Sequence, residues 1–124
     1  MSDGLRGVVV CHGKLAQGLV EATESISGVT GALVPVSNTD CDRQVLEDRV
    51  AEAVDGRPSV VFVDLASGSC LFAVLKRLRA FEGVRIVTGV NLAMLVDFVF
   101  HRDLTPEAAA ERAAAAGAKA IRIP

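Results

Sequence analysis

Two residues able to take part in group transfer, a histidine and an aspartate, each follow a short apolar run. His12 comes after Val8-Val9-Val10-Cys11, and Asp64 comes after Ser59–Val63. A carboxylate that accepts the proton of one imidazole nitrogen fixes the ring and leaves the lone pair of the other nitrogen free. A neutral imidazole of this kind is a nucleophile able to attack phosphorus. The two residues therefore predict a nucleophilic histidine oriented by an acid.

A loop of small residues after the second of these runs has the composition of an anion-binding turn. It contains Ser67, Gly68 and Ser69 directly before a helical pattern. Backbone N–H groups at the start of a helix attract anions, and the Ser69 hydroxyl is a further donor. The predicted catalytic residues are His12, Asp64 and Ser69. The predicted phosphate-binding residues are Gly13, Ser67 and Gly68. A lone histidine at a strand end is more often structural, so the pattern by itself leaves both interpretations open.

Alternating strand and helix patterns predict the elements that position these residues. The predicted strands are Gly7–Cys11, Ala32–Val36, Ser59–Val63 and Val84–Thr88. A helical pattern follows each strand, and Thr105-Pro106 starts a further, alanine-rich helix. This alternation predicts an α/β fold with an open, mainly parallel four-stranded sheet and helices on both faces. The carboxyl ends of parallel strands share one edge, where ligands bind.

Local signals predict several details of the helices and the C-terminus. In the first helix, Lys14–Ser27, the apolar residues at helical spacing are Leu15, Leu19, Ala22 and Ile26. Side-chain oxygens able to cap the second helix belong to Asn38, Thr39 and Asp40. Asn91 is expected to cap the fourth helix. Ile121 and Ile123 alternate with charged residues and predict a half-exposed edge strand.

Composition limits the classes of function. The 124 residues are 51% hydrophobic, which predicts one domain over residues 1–124 with a substantial core. A net charge of −2 and five aromatic residues argue against a nucleic-acid partner. The chain begins without a signal-like segment and contains no long apolar run, so we expect a cytoplasmic protein. Three widely spaced cysteines argue against a disulfide framework.

Three separated segments carry a resemblance to a known family. They are His12-Gly13 with Leu15-Ala16-Gln17-Gly18-Leu19, Val63-Asp64-Leu65 with Gly68-Ser69, and Thr88-Gly89-Val90-Asn91-Leu92 with Met94-Leu95. In this order they resemble the mannose-type enzyme IIA domain of the bacterial phosphoenolpyruvate-dependent sugar phosphotransferase system. The resemblance extends over nearly the whole chain, and the last segment is the most specific.

The resemblance implies a phosphoryl carrier with a phosphohistidine intermediate and no cofactor or metal. His12 would accept a phosphoryl group on Nε2 from the phosphocarrier protein HPr and pass it to an enzyme IIB, which serves a membrane permease. Asp64 would orient the ring through Nδ1, and Ser69 would lie beside the phosphoryl group. The family also implies a homodimer in which the C-terminal strand pairs with the partner subunit.

The loop after Asp64 departs from the family pattern. Ala66, Ser67 and Cys70 stand where the family usually has an aromatic residue, a glycine and a proline. The loss of the aromatic residue removes apolar area from the rim of the site. These changes bear on partner specificity more than on phosphorylation, because His12, Asp64 and Ser69 are unaffected.

Other interpretations of the same residues stay open. A regulatory or binding protein with this fold would use phosphorylation as a signal and have no part in sugar transport. A metal-binding protein would use Cys11, His12 and Cys70, with Asp64 as a fourth ligand, although the spacing matches no standard zinc signature. A Cys-His hydrolase using Cys11 or Cys70 is disfavoured because Cys11 would point to the other face of its strand.

Overall fold

Four short strands form one parallel sheet in the computed structural model, which describes residues 4–124. The elements in chain order are β1 (Arg6–Cys11), α1 (Leu15–Ser27), β2 (Leu33–Ser37), α2 (Arg43–Val54), β3 (Ser59–Val63), α3 (Ser69–Leu78), β4 (Val84–Thr88), α4 (Leu92–Val99) and α5 (Pro106–Lys119). The sheet order is β2-β1-β3-β4. The predicted α/β fold is confirmed, and the strand bounds differ from the expected ones by at most one residue.

The two central strands are apolar beyond their first residues because helices cover both faces of the sheet. Val9 and Cys11 of β1 face α1, α4 and α5, where they pack with Phe62 of β3. Val8 and Val10 face α2 and α3 on the opposite side. Alternate residues of one strand therefore contribute to two separate core layers.

The register of the sheet brings three strand ends together. Cys11, the last residue of β1, pairs with Ser37 of β2, and Val10 pairs with Val63 of β3. The residues that follow β1, β2 and β3 are therefore neighbours at one edge of the sheet. This edge is the one where the sequence predicts the site.

The face of α1 that is buried lies one residue further along the chain than the predicted apolar face. Ala16, Val20 and Thr23 are buried against the sheet, whereas Leu15 and Ile26 are 48% and 61% exposed. The buried stripe has the smaller side chains, and the hydroxyl of Thr23 is satisfied by the carbonyl of Leu19 at 2.7 Å. These residues let the helix lie close to the strands.

Helix α2 begins later than the sequence predicts. Its cap is Asp42, whose carboxylate accepts a hydrogen bond from the backbone N–H of Val45 at 2.9 Å. The chain turns at Asp40, which has a φ of 54°, before the helix can start. The predicted cap at Asn91 is confirmed, since its side chain accepts from the N–H of Met94 at 3.1 Å.

The C-terminal segment differs from the predicted edge strand. Residues 121–124 pair with no strand among residues 4–124, and Ile121 and Ile123 are 77% and 99% exposed. The half-exposed strand is therefore not formed within the single chain. Pairing with a second copy stays a prediction. Separately, none of the helices among residues 4–124 is long and apolar enough to cross a membrane.

Candidate functional site

The ends of β1 and β3 bring His12 and Asp64 into direct contact. Asp64 Oδ2 lies 2.8 Å from His12 Nδ1 and accepts the backbone N–H of His12, also at 2.8 Å. Asp64 Oδ1 accepts the N–H of Leu65 at 2.9 Å. The Asp64 side chain is only 8% exposed, whereas the His12 side chain is 42% exposed. The pair thus presents an accessible imidazole on a fixed, shielded carboxylate.

The surroundings of Asp64 favour its ionised form. Burial raises the pKa of this carboxyl group, but the hydrogen bonds from the backbone and ring of His12 and from Leu65 N–H outweigh that effect. The net result is a pKa below the usual value, because hydrogen bonds to a carboxylate stabilise the charge. An ionised carboxylate only accepts hydrogen bonds, so the proton of a neutral His12 ring belongs on Nδ1. The free lone pair of a neutral ring is then on Nε2.

The turn that carries His12 is held by the loop after β2. Asn38 Oδ1 accepts the N–H of Gly13 at 3.0 Å, and the Ser37 hydroxyl donates to the Gly13 carbonyl at 2.6 Å. Arg49 of α2 donates to the carbonyls of Ser37 and Thr39 at 2.8 and 2.9 Å. The sequence pattern did not predict this role, because Asn38 and Thr39 match the composition of a helix cap. The local signal was the polar cluster that follows a predicted strand.

The loop before α3 places a glycine against the histidine ring. A Cβ atom on Gly68 would lie 3.9 Å from His12 Cε1, and its φ of +94° is one that other residues rarely adopt. Ser67 and Ser69 flank it and are exposed. The Gly68 carbonyl accepts the N–H of Phe72, so the first N–H groups of α3, which begin at Ser69, have no partner inside the helix. These N–H groups at the N-terminus of α3 are able to donate hydrogen bonds to an anion.

Cys70 is a neighbour of the ring, and the sequence placed it there only in the metal-site and Cys-His hydrolase alternatives. It lies in the first turn of α3, is buried, and its Sγ is 3.7 Å from His12 Nδ1. Burial, followed by the Asp64 charge, raises the pKa of the Cys70 thiol to about 11. The group is therefore a protonated thiol at neutral pH.

The metal-site alternative is wrong in one of its ligands. Cys11 packs in the core layer on the opposite face of the sheet from Cys70, as expected for its place in the strand. Burial raises the pKa of its thiol to about 12. The donor atoms of His12, Asp64 and Cys70, in contrast, all lie within 4.8 Å of one another. A cluster of three possible ligands thus exists without Cys11.

The segment after β4 caps helix α4 and joins it to helix α5. Asn91 caps α4 and also donates from Nδ2 to the carbonyl of Gly117 in α5, at 3.1 Å. A Cβ atom on Gly117 would lie 2.5 Å from Met94 Cγ, so the close packing of α4 on α5 needs a glycine there. The most specific segment of the resemblance therefore has a structural role.

An apolar groove starts beside the histidine and runs along α3. It has a volume of about 730 Å³ and begins at Ser67 and Gly68. Its lining residues further along are Leu71, Phe72, Leu75, Lys76 and Arg79. Phe72 is 58% exposed and carries the guanidinium of Arg43 at 4.8 Å from its ring centre. The site thus has an apolar rim with basic residues at its edges.

Comparison with protein families identifies the chain. The model of the family described as "EIIA-man: PTS system fructose IIA component" matches residues 7–116. This chain belongs to the EIIA-man family. It is a component of a sugar phosphotransferase system, and members of this family act in general with HPr and enzyme IIB. Comparison with curated proteins gave no match.

Solved structures show that EIIA-man proteins share this fold. The EIIA component of Streptococcus agalactiae is 18% identical, with a TM-score of 0.88 and 96% of each chain covered. The mannose/sorbose-specific IIA subunit of Enterococcus faecalis is 20% identical, with a TM-score of 0.85 over 98% of this chain and 95% of that one. A sigma-54 interaction domain protein from Enterococcus faecalis is 11% identical, with a TM-score of 0.73 over 96% of this chain and 94% of that one.

Proposed function

We propose that this EIIA-man protein carries a phosphoryl group on Nε2 of His12, accepts it from phospho-HPr and passes it to an enzyme IIB. The observation that carries the proposal is the contact of Asp64 Oδ2 with both the backbone N–H and Nδ1 of His12, each at 2.8 Å. That contact sets the tautomer and leaves Nε2 as the nucleophile. The exposed ring offers access to a protein donor.

The transfer step needs the residues already described. The Nε2 lone pair of His12 attacks phosphorus, and the phosphorus–nitrogen bond of phospho-HPr breaks with its electron pair returning to the donor imidazole. The His12 ring gains positive charge as the new bond forms. The Asp64 carboxylate stabilises that charge through the Nδ1–H. Transfer to enzyme IIB runs the same chemistry with His12 as the leaving group.

The start of α3 is the proposed cradle for the phosphoryl oxygens. The exposed Ser69 hydroxyl and the N–H groups that follow Gly68 would donate to them, with Ser67 and Gly13 at the edge of the same space. A cradle of this kind holds the group without binding it tightly. Weak holding suits a carrier, because only contacts that strengthen in the transition state speed the second transfer.

The groove along α3 is the proposed docking surface for HPr and for enzyme IIB. Phe72 and Leu75 are 58% and 44% exposed and lie in continuity with the histidine through Gly68. Leu65, 54% exposed, offers apolar area at the rim where the family usually has an aromatic residue one position later. A small apolar patch favours short-lived complexes, which a relay in the cytoplasm between two partners requires.

A homodimer is part of the same proposal. Ile121 and Ile123 are 77% and 99% exposed, and their alternation with Lys119 and Arg122 is a strand pattern without a strand partner in the part of the chain that the structure describes. Pairing of this segment with a second copy would bury both isoleucines. A chain ending at Ala120 should then sediment as a monomer while the intact chain sediments as a dimer.

The direct test is phosphorylation from phosphoenolpyruvate through enzyme I and HPr, followed by intact-mass measurement. Wild type should gain one phosphoryl group, His12→Ala should gain none, and His101→Ala should behave as wild type. His101 is a suitable control because it is the second of two histidines and follows α4, where its Nδ1 lies 2.7 Å from the Asp97 carbonyl. Phosphorylation of the His12 variant would refute the proposal.

The second half of the relay needs its own measurement. The phosphorylated chain, separated from HPr, should lose its phosphoryl group when an enzyme IIB is added and the phosphoryl group should appear on that protein. A chain that is phosphorylated but that no enzyme IIB of the mannose type discharges would contradict the carrier role. That result would favour the regulatory function instead.

A further inference from the structure

Three side chains with different donor atoms converge beside the proposed phosphorylation site. His12 Nδ1 lies 2.8 Å from Asp64 Oδ2 and 3.7 Å from Cys70 Sγ, and the three donors fall within 4.8 Å of one another. We propose that His12, Asp64 and Cys70 form a site for a borderline-soft divalent cation such as Zn²⁺, and that the bound ion blocks phosphorylation of His12.

Of the three donor separations, that between His12 Nδ1 and Cys70 Sγ agrees with zinc coordination. Zinc bonds of about 2.0 Å to nitrogen and 2.3 Å to sulfur, in a tetrahedral arrangement, separate those two donors by about 3.5 Å. The observed separation of Nδ1 and Sγ is 3.7 Å. Nδ1 and Oδ2 must move apart by about 0.5 Å to admit the ion. The imidazole can tilt to allow this because its side chain is 42% exposed.

The type of donors selects the metal. An imidazole nitrogen and a thiolate sulfur favour zinc and its neighbours over Mg²⁺ and Ca²⁺, which prefer oxygen ligands. Three protein ligands leave a fourth position of the tetrahedron open for water. The site is therefore expected to bind Zn²⁺ or Co²⁺ and to be indifferent to Mg²⁺.

The groups around the ligands are arranged as supports. The carboxylate of Asp64 keeps hydrogen bonds from the backbone N–H groups of His12 and Leu65, which would hold it in place when Nδ1 turns to the ion. Cys70 is fixed in the first turn of α3 and fully buried. Supports of this kind around the ligands raise metal affinity in protein sites.

Metal binding and phosphorylation would exclude each other because they use the same atoms. As the ion binds, the Cys70 thiol and the Nδ1–H of His12 each release a proton to solvent, and the ion takes the place of the Nδ1–H between the ring and Asp64. The carboxylate then no longer stabilises charge on the ring, and the cation itself opposes that charge. The predicted block of His12 phosphorylation rests on the proposed relay, whereas the predicted binding of the ion does not.

The test combines binding of Zn²⁺ with spectroscopy of Co²⁺. Calorimetric titration of the wild type with Zn²⁺ should show one ion per chain, and Cys70→Ala should weaken binding by at least about tenfold, since loss even of a supporting group costs that much. Cys41→Ser is the matched control, because Cys41 is a thiol outside the cluster whose Sγ lies 3.2 Å from the Asn38 carbonyl. It should bind as wild type. Co²⁺ added to the wild type and to Cys41→Ser should give the thiolate-to-cobalt charge-transfer absorption.

A third measurement tests whether the bound ion blocks phosphorylation of His12. Phospho-HPr is isolated and added to each protein with and without Zn²⁺, and the ratio of the two rates is compared within each variant. Wild type should be inhibited at least about tenfold and recover with a chelator, whereas Cys70→Ala should resist the ion at the same concentration.

The outcomes separate the two proposals. Equal zinc affinity in wild type and Cys70→Ala, or Co²⁺ binding by the wild type without a thiolate band, would overturn the metal site. The cobalt spectrum of the wild type decides the question even where the alanine variant does not fold. Cys70-dependent zinc binding by a chain that HPr never phosphorylates would support the site and refute the relay.

Discussion

A single oxygen atom of Asp64 holds both the backbone and the ring of His12. Oδ2 lies 2.8 Å from the backbone nitrogen and 2.8 Å from Nδ1 of the same residue. The position of the turn and the orientation of the imidazole are therefore fixed together. A change at Asp64 should affect the charge beside the ring and the stability of the turn at once, and the two effects are separable by experiment.

Replacement of Asp64 by asparagine should slow phosphorylation of His12 by at least about a hundredfold while the fold is kept. The backbone N–H of His12 needs an acceptor, so an asparagine keeps its amide oxygen toward His12 but lacks the negative charge that stabilises a positively charged ring. The measurement is the initial rate of labelling by phospho-HPr, with circular dichroism to verify the fold.

The matched control is Asp48→Asn, which removes a half-exposed carboxylate that pairs with Arg77 at 2.9 Å. This variant should be labelled at the rate of the wild type. Equal rates for Asp64→Asn and Asp48→Asn would contradict an orienting role for Asp64.

Asp64→Asn should also lower the stability of the fold by an amount that depends on pH. Because the pKa of Asp64 is lowered in the folded state, its contribution is present in full above the unfolded-state pKa and is lost as the pH falls through the folded-state pKa. At pH 7 the wild type should exceed Asp64→Asn in free energy of unfolding by about 1–3 kcal/mol. Urea unfolding at a series of pH values should show this difference shrinking in strong acid. A difference that grows on acidification would contradict the assignment.

The sequence predicted the sheet and the contact of His12 with Asp64 because both depend on strong local signals. Short apolar runs that alternate with helical patterns are typical of the central strands of a parallel sheet, and β1 and β3 are such strands. The phase of α1 was predicted wrongly because Leu15 and Ile26 are apolar yet exposed. Amphipathicity identifies a helix more reliably than the face that it buries.

The support of the site by Asn38 and the position of Cys70 were beyond local patterns. Asn38 reaches Gly13 only because β2 lies next to β1, and strand order is a property of the whole sheet. Cys70 reaches the ring because α3 starts at Ser69 and turns its second residue inward. Both contacts join residues distant in sequence.

Removal of the Asn38 side chain should loosen the turn that carries His12. The hydrogen bond from Gly13 N–H to Asn38 Oδ1 is 3.0 Å long, and one neutral hydrogen bond contributes about 1 kcal/mol. Asn38→Ala should therefore lower the rate of phosphorylation by about fivefold and speed hydrogen exchange at the Gly13 amide. Gln17→Ala, which removes an exposed amide that contacts Glu21 on α1 at 3.2 Å, is the control and should leave both quantities unchanged. Normal exchange at Gly13 in the Asn38 variant would show that the loop after β2 does not hold the turn.

The groove along α3 can be tested with two equally exposed phenylalanines. Phe72 lies in the groove and Phe100 follows α4, and each is 58% exposed. Truncation of a side chain that is buried only in the complex weakens binding, by about 1 kcal/mol or more for an aromatic anchor. It leaves the chemical step unchanged. Phe72→Ala should therefore raise the KM for phospho-HPr by about fivefold or more with little change in kcat, whereas Phe100→Ala should match the wild type. A raised KM in both variants, or in neither, would show that HPr approaches His12 from another side.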